Sequence, residues 1–311
     1  MLKTIKEKIN LSNALFLLLL LLVLSSATAG EGGIEDLYLC ILIIFIKLYN
    51  IWAGLKGVKN LVQRQDVTSI TYGLLLIWEL LTTKLGLIDP FLFPYPEAVL
   101  QLFISNLPEL LKGLLSSLFL LTSAFALALI TSIPLGLIVG WRRRLFHAVH
   151  PISKVLSAIP PIVYIPYAIA MLPTFKLASI LVIFIGAFWP IFVSTLNATV
   201  QIDKHLIDSA RMLHIKEKQL LSSIILPAIM PQVLTGCSVG LIFSFILLTS
   251  AEMIGATSGI GWYVKYYSDF GDYGKVIVGI IFIGIVVTAV MAIFELIQKR
   301  LLCWQQKIGD E

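Results

Sequence analysis

Charge is the scarcest property of this sequence. Only 13% of its 311 residues are charged, while 58% are hydrophobic and the mean hydropathy is +0.94. A soluble domain carries about 25% charged residues, so the scarcity excludes a soluble globular protein. Histidine and cysteine are also sparse. The cysteines are Cys40, Cys237 and Cys303, with no metal or disulfide spacing. The histidines are His147, His150, His205 and His214; His147 and His150 can share a helix face, but two ligands are too few for a metal site. No G-x-x-x-x-G-K-[ST] phosphate cradle and no H-E-x-x-H are present. ATP hydrolysis, zinc hydrolysis and other enzymatic activity therefore lack their usual residues in this chain. The net charge of +5 does not point to nucleic acid, because the basic residues cluster at the ends of apolar runs.

What is present is apolar length. Eight apolar runs follow one another, and a membrane helix needs about 20 apolar residues. Lys3, Lys6 and Lys8 precede a run over 14–24, then Ser25-Ser26-Ala27-Thr28-Ala29. That layout fits a cleaved secretory signal, and stretched over 11–29 it equally fits an uncleaved anchor. A second run, 37–54, carries Lys47, and Lys56, Lys59 and Arg64 follow it. A third, 69–88, carries Glu79 near its middle. An intramembrane carboxylate has to face protein or water; a structural residue facing the bundle is the favoured reading over a direct role in transport. Residues 89–112 hold Pro90, Pro94, Pro96 and Pro108, which predicts an outer loop without a continuous helix.

The fourth run, 114–141, is long enough to tilt, or to break near Pro134, and ends at Arg142-Arg143-Arg144. The fifth, 152–172, contains Pro160, Pro161 and Pro166 beside Tyr164. Prolines at that spacing free backbone carbonyls, which membranes tolerate where backbone is buried or lines a wet cavity. The segment reads as a pathway wall or as a kinked packing helix. The sixth run, 177–200, is kinked by Pro190 and carries Ser194, Thr195 and Asn197. The seventh, 233–254, holds Gly236, Ser238 and Gly240, which permit close helix contact, and the candidate pathway residues Ser244 and Thr249. It leads into Ala251-Glu252-Met253-Ile254-Gly255-Ala256-Thr257-Ser258-Gly259. The last run is 275–296. Lys and Arg concentrate in the segments assigned to the inside, with only Lys112, Lys176, Lys265 and Lys275 assigned outside.

One stretch breaks the apolar monotony: residues 208–231, DSARMLHIKEKQLLSSIILPAIMP. Charged and apolar residues alternate at helical spacing, so an inner, water-exposed hairpin needs a partner for its apolar side. A groove on a soluble protein supplies one. Asp208-Ser209-Ala210, a turn position at His214 and the closing Leu226-Pro227 resemble the EAA loop of ABC importer permeases. Asp208 stands where that family usually has Glu, and His214 where it has Gly, which adopts a left-handed turn at no cost. Residues 159–166 and 251–259 are similar to segments of the nitrate/sulfonate/taurine-type subfamily, as is the P-x-P-x-x-V element at Pro94.

The resemblance covers about 68–300 and implies the rest. The fold class is all-α: a polytopic helical membrane protein with a six-helix, type I importer-like core and one or two extra N-terminal apolar segments. The expected divisions are a signal or anchor over 1–30, an additional span and inner loop over 31–67, the permease domain over 68–300 and a cytoplasmic tail over 301–311. The implied function is membrane permeation for a binding-protein-dependent importer of a small solute such as nitrate, a sulfonate or taurine, by alternating access. The chain itself binds no cofactor; ATP and Mg belong to a partner ATPase. The expected partners are an ABC ATPase dimer inside, an external or periplasmic solute-binding protein, a second permease copy and membrane lipid, in a bacterial inner membrane. Docking on the ATPase is expected of Asp208, Ser209, Ala210, Arg211, His214, Leu226 and Pro227. The pathway or gate is expected at Pro160, Pro161, Tyr164, Ser194, Asn197, Ser244, Thr249, Glu252, Gly255, Thr257, Ser258 and Gly259. The alternative is an ion- or proton-coupled secondary transporter or channel using Glu79 and Glu252.

Overall fold

A computed structural model describes residues 12–23, 34–55 and 61–303. The basic start, the cleavage-like residues 25–29 and the tail beyond 303 lie outside the described residues. The described residues are helical and divide into two compact units, one of 1–109 with 267–280 and one of 110–266 with 281–311. Among the described residues, four helices are long and apolar enough to cross a membrane, and a bent pair makes a fifth candidate.

In the first unit, α1 (Ser12–Val23), α2 (Ile34–Leu55) and α3 (Leu61–Glu79) share a core. Leu19 and Val23, Leu39 and Ile43, and Tyr72 and Leu76 bury one another. Two polar groups beside this cluster are satisfied locally, as a low-dielectric setting favours. The Tyr72 hydroxyl donates to the Ile43 carbonyl at 3.2 Å. Lys47 donates to the Asn13 side-chain carbonyl and lies 5.3 Å above the Phe16 ring. Glu79 ends α3, is 0% exposed, and neither of its oxygens has a hydrogen-bond partner among the described residues. A π-helical turn, Leu80–Lys84, follows it. The run expected over 69–88 is thus shared between α3 and this turn.

Helix α4 runs without interruption from Pro96 to Trp141, 46 residues. This corrects one expectation: residues 96–112 are not irregular loop. Of the two alternatives for the fourth run, tilt or a break near Pro134, the break does not occur. Pro96 opens the helix, where its missing N–H costs nothing, and Glu97 in the first turn favours the positive helix end. Pro108 and Pro134 each forfeit a single backbone bond, which such a long helix absorbs.

In the second unit, α5 (Arg143–Ala158) stops at Ile159-Pro160. A 3-10 turn, Pro161–Tyr164, and α6 (Ile165–Met171) follow at 77° to it. The expected proline break is therefore real. Helix α7 (Phe175–Val200) is opened by Thr174, whose hydroxyl accepts from the Leu177 N–H at 3.4 Å, and runs on through Pro190. Helix α8 (Lys204–Met212) and α9 (Glu217–Leu220) form the hairpin, and a π turn, Leu221–Ile225, joins α9 to α10 (Leu226–Gly255). The seventh run accordingly begins at Glu217, giving a 39-residue helical segment. Helices α11 (Ile260–Asp269) and α12 (Tyr273–Leu301) follow, with residues 267–280 assigned to the first unit.

Small residues set the packing of this unit. A Cβ on Gly236 of α10 would stand 2.5 Å from Cβ of Ser194, and one on Gly136 of α4 2.8 Å from Cβ of Thr195. Real side chains do not approach so closely, so glycine is what lets α10 and α4 lie against α7. Ala128, Ala187, Ile191, Ile229, Val233 and Cys237 fill the seam.

Candidate functional site

The hairpin is built by capping rather than by burial. Asp203 opens α8, its carboxylate accepting the His205 N–H at 2.9 Å. His214 closes it with φ +52, alone among the described non-glycine residues in having positive φ. Its N–H donates to the Arg211 carbonyl at 2.9 Å, the bond a helix-ending glycine usually makes. The imidazole Nδ1 lies 3.1 Å from the Met212 carbonyl oxygen. The family-typical glycine position is therefore left-handed here, held by a residue that tolerates the region better than most.

The apex is apolar and open: Met212 is 75% exposed and Leu213 74%. Asp208 and Arg211 pair across one turn at 3.9 Å, both well exposed, an arrangement worth about 0–1 kcal/mol and easily exchanged for contacts with a partner. Ser209 is exposed, and Leu226 and Pro227 are half-buried. Ala210 is different. It is 4% exposed and packs with Ala198, Leu220 and Ile225. Its expected place on the docking surface is corrected: the methyl faces the chain's own core and seats the hairpin.

A second feature is a cavity of about 360 Å³ in the seam of α7 and α10. Pro161, Ser194 and Asn197 line it, as do Trp189, Gln232 and Thr235, and none of its lining residues is charged. The Ser194 hydroxyl donates to the Gln232 carbonyl at 2.6 Å. Pro160 and Tyr164 flank the wall without lining it. Gln232 escapes a sequence reading because a lone amide in an apolar run carries no motif.

The remaining expected pathway residues lie elsewhere. Ser244 is buried with its hydroxyl on the Gly240 carbonyl at 2.8 Å, and the Thr249 hydroxyl donates to Phe245 and Ile246 carbonyls, each at 3.0 Å. Both hydroxyls are satisfied by their own helix; Ser244 is thereby turned away from any solute-facing surface, while Thr249 stays half-buried. Gly255 ends α10, and a Cβ there would meet Ile169 at 3.1 Å.

Glu252 organises the turn between α10 and α11, the one expected on the outer side. It is 1% exposed and accepts from the Ser117 hydroxyl at 2.6 Å and from the Gly261 N–H at 2.8 Å. The Ser117 oxygen in turn accepts the Ile260 N–H at 3.0 Å. Carboxylate and hydroxyl together cap α11, whose first N–H groups have no helical partner. Gly259 has φ +134, and a Cβ there would stand 2.4 Å from the Glu252 carboxyl carbon. Ser258 meets Ser116 at 3.1 Å, and Thr257 is exposed. No cluster of metal-ligating side chains occurs among the described residues.

Broken and long apolar helices, an uncharged cavity and a charged, exposed hairpin between apolar helices are the features of a membrane transport permease. The fold is shared with the inward-facing MetNI methionine ABC transporter, at TM-score 0.55 and 19% identity, covering 63% of this chain and 98% of that one. Among curated relatives, the putative aliphatic sulfonates transport permease SsuC of Bacillus subtilis is 28% identical, over 74% of this chain and 83% of its own length. The taurine transport system permease TauC of Escherichia coli is 28% identical, over 76% and 88%. The nitrate import permease NrtB of Synechocystis is 31% identical, over 55% and 62%. The chain belongs to the family described as binding-protein-dependent transport system inner membrane component, which matches residues 132–302; it is an ABC importer permease.

Proposed function

We propose that this permease carries a small oxyanion, of the sulfonate or nitrate kind, across a bacterial inner membrane by alternating access. A second copy of the chain completes the pathway, a separate ATPase dimer docks inside, and an external binding protein delivers the solute. The observation that carries this reading is the hairpin. Two apolar side chains stand exposed at a turn that no described residue covers, between two long apolar helices, with Asp208 and Arg211 beside them. An apolar cleft on a soluble subunit is their natural destination. Docking drives transport only if those contacts differ between the ATPase's states.

The cavity supports the solute class. Its carboxamides and hydroxyls supply neutral hydrogen bonds without a buried ion pair, so an anion is handled by dipoles and released readily. The carboxylate-relay alternative is weaker, since Glu252 is committed to Ser117 and Gly261. The Asp208→Lys variant tests the docking reading. It is expected to insert normally and leave the ATPase hydrolysing ATP without uptake; unchanged uptake contradicts the docking role. For the solute, the external binding protein that supports uptake through this permease should bind an oxyanion from a panel of nitrate, sulfonates and taurine, and binding of none of them contradicts the class.

A further inference from the structure

The helical segment Glu217–Gly255 contains two acidic residues, Glu217 at its first position and Glu252 near its last. Both carboxylates are bound to donors of the same neighbour, α4. At the outer end, Ser117 of α4 donates to Glu252. At the inner end, Trp141 closes α4 and its indole N–H donates to Glu217 Oε1 at 2.8 Å. Arg142, the next residue, places its guanidinium 3.1 Å from the same oxygen. The Trp141 ring packs against the apolar cluster that holds Ala210, Leu220 and Ile225. One face of the hairpin is thus tied to α4 by both an apolar and a polar contact.

We infer that α4 and the 217–255 segment form a strut pinned at both ends, through which displacement of the hairpin reaches the glycine-rich outer turn, and that Glu217 is the positioning residue at its inner pin. The physical reason is differential stiffness. The segment contains a π turn, Leu221–Ile225, and prolines at 227 and 231, which are places where helices bend. Pinned at only one end, such a segment takes up a push by flexing. Held to α4 beyond its bends at both ends, it passes the push on to Glu252, and Glu252 holds Gly261 and the start of α11. As a stabiliser the inner pin is weak, because Arg142 and Glu217 are both more than half exposed. Its consequence lies in coupling.

This inference rests on the proposed docking of an ATPase at the hairpin, so the experiment separates the two. The permease–ATPase complex is reconstituted with its binding protein, and solute uptake is measured per ATP hydrolysed. Leu213→Asp reports on docking through recovery of the ATPase with the permease. Glu217→Ala is expected to keep the ATPase bound and hydrolysing, while uptake per ATP falls about three- to ten-fold. Trp141→Phe, which keeps the ring packing and removes the N–H, should lower the ratio about two-fold. Ser117→Ala, at the outer pin, should lower it in the same direction. The double variant Arg142→Glu with Glu217→Arg restores the pair and should recover at least half of the lost ratio, which a direct contact of Glu217 with the ATPase does not predict. An unchanged ratio in Glu217→Ala, or a double variant no better than Glu217→Ala, overturns the strut. If Glu217→Ala fails to accumulate, an unchanged ratio in Trp141→Phe overturns it instead. Loss of ATPase recovery in Leu213→Asp together with normal coupling in the pin variants leaves docking standing and removes the strut alone.

Discussion

The inner hairpin and the outer turn are both short connections at helix ends, yet they are built in opposite ways. At the outer turn a buried carboxylate gathers a hydroxyl and a backbone N–H within 2.8 Å, and glycines at 259 and 261 make room for it. At the inner hairpin the charged side chains are exposed, the apolar ones at the apex are uncovered, and the turn is strained at a histidine. Buried polar groups are expensive unless satisfied, so the outer turn is fixed from within. A surface that leaves Met212 and Leu213 in water is finished only by something from outside. The contrast separates a part that must keep its shape from a part that must meet a partner.

Substitutions at the two turns break or sharpen that contrast. The largest loss of stability is expected for Glu252→Ala. It strips the acceptor from two buried donors and should cost about 3 kcal/mol, read as a lowered unfolding midpoint of the purified permease. Gly259→Ala comes next, at about 2 kcal/mol, because its φ of +134 and its 2.4 Å approach to Glu252 both exclude a methyl. His214→Gly moves the other way. It relieves the left-handed strain and should raise the stability of the hairpin by about 0.5–1 kcal/mol, seen as slower proteolysis within 204–220. Leu213→Asp should change stability by less than about 0.5 kcal/mol and yet abolish recovery of the ATPase. A large stability loss there would mean that the hairpin apex is core, and the contrast would fail.

The sequence made the hairpin readable because a charged segment between apolar runs has few places to go, and because the position of His214 in the motif implied a left-handed turn. The proline break at 159–161 was legible for a similar reason: local backbone chemistry decides it. Pro108 misled, since a helix as long as α4 absorbs the local penalty of one lost backbone bond. The partnership of Ser117 with Glu252 spans 135 positions, and no local pattern encodes it. The same holds for Trp141 and Glu217, which are 76 apart. Ser244 looked solute-facing by residue type alone, but hydroxyls in apolar helices commonly turn back to their own carbonyls. Ala210 kept its motif position while facing inward, which spacing alone did not reveal.

The central proposal is that residues 204–220 receive force from a separate ATPase. Uptake of radiolabelled solute into vesicles tests it most directly, with the purified permease reconstituted alone or together with its companion ATPase, ATP and binding protein. Accumulation against a gradient is predicted only in the complete system, and only with ATP present; accumulation by the permease alone would contradict the account.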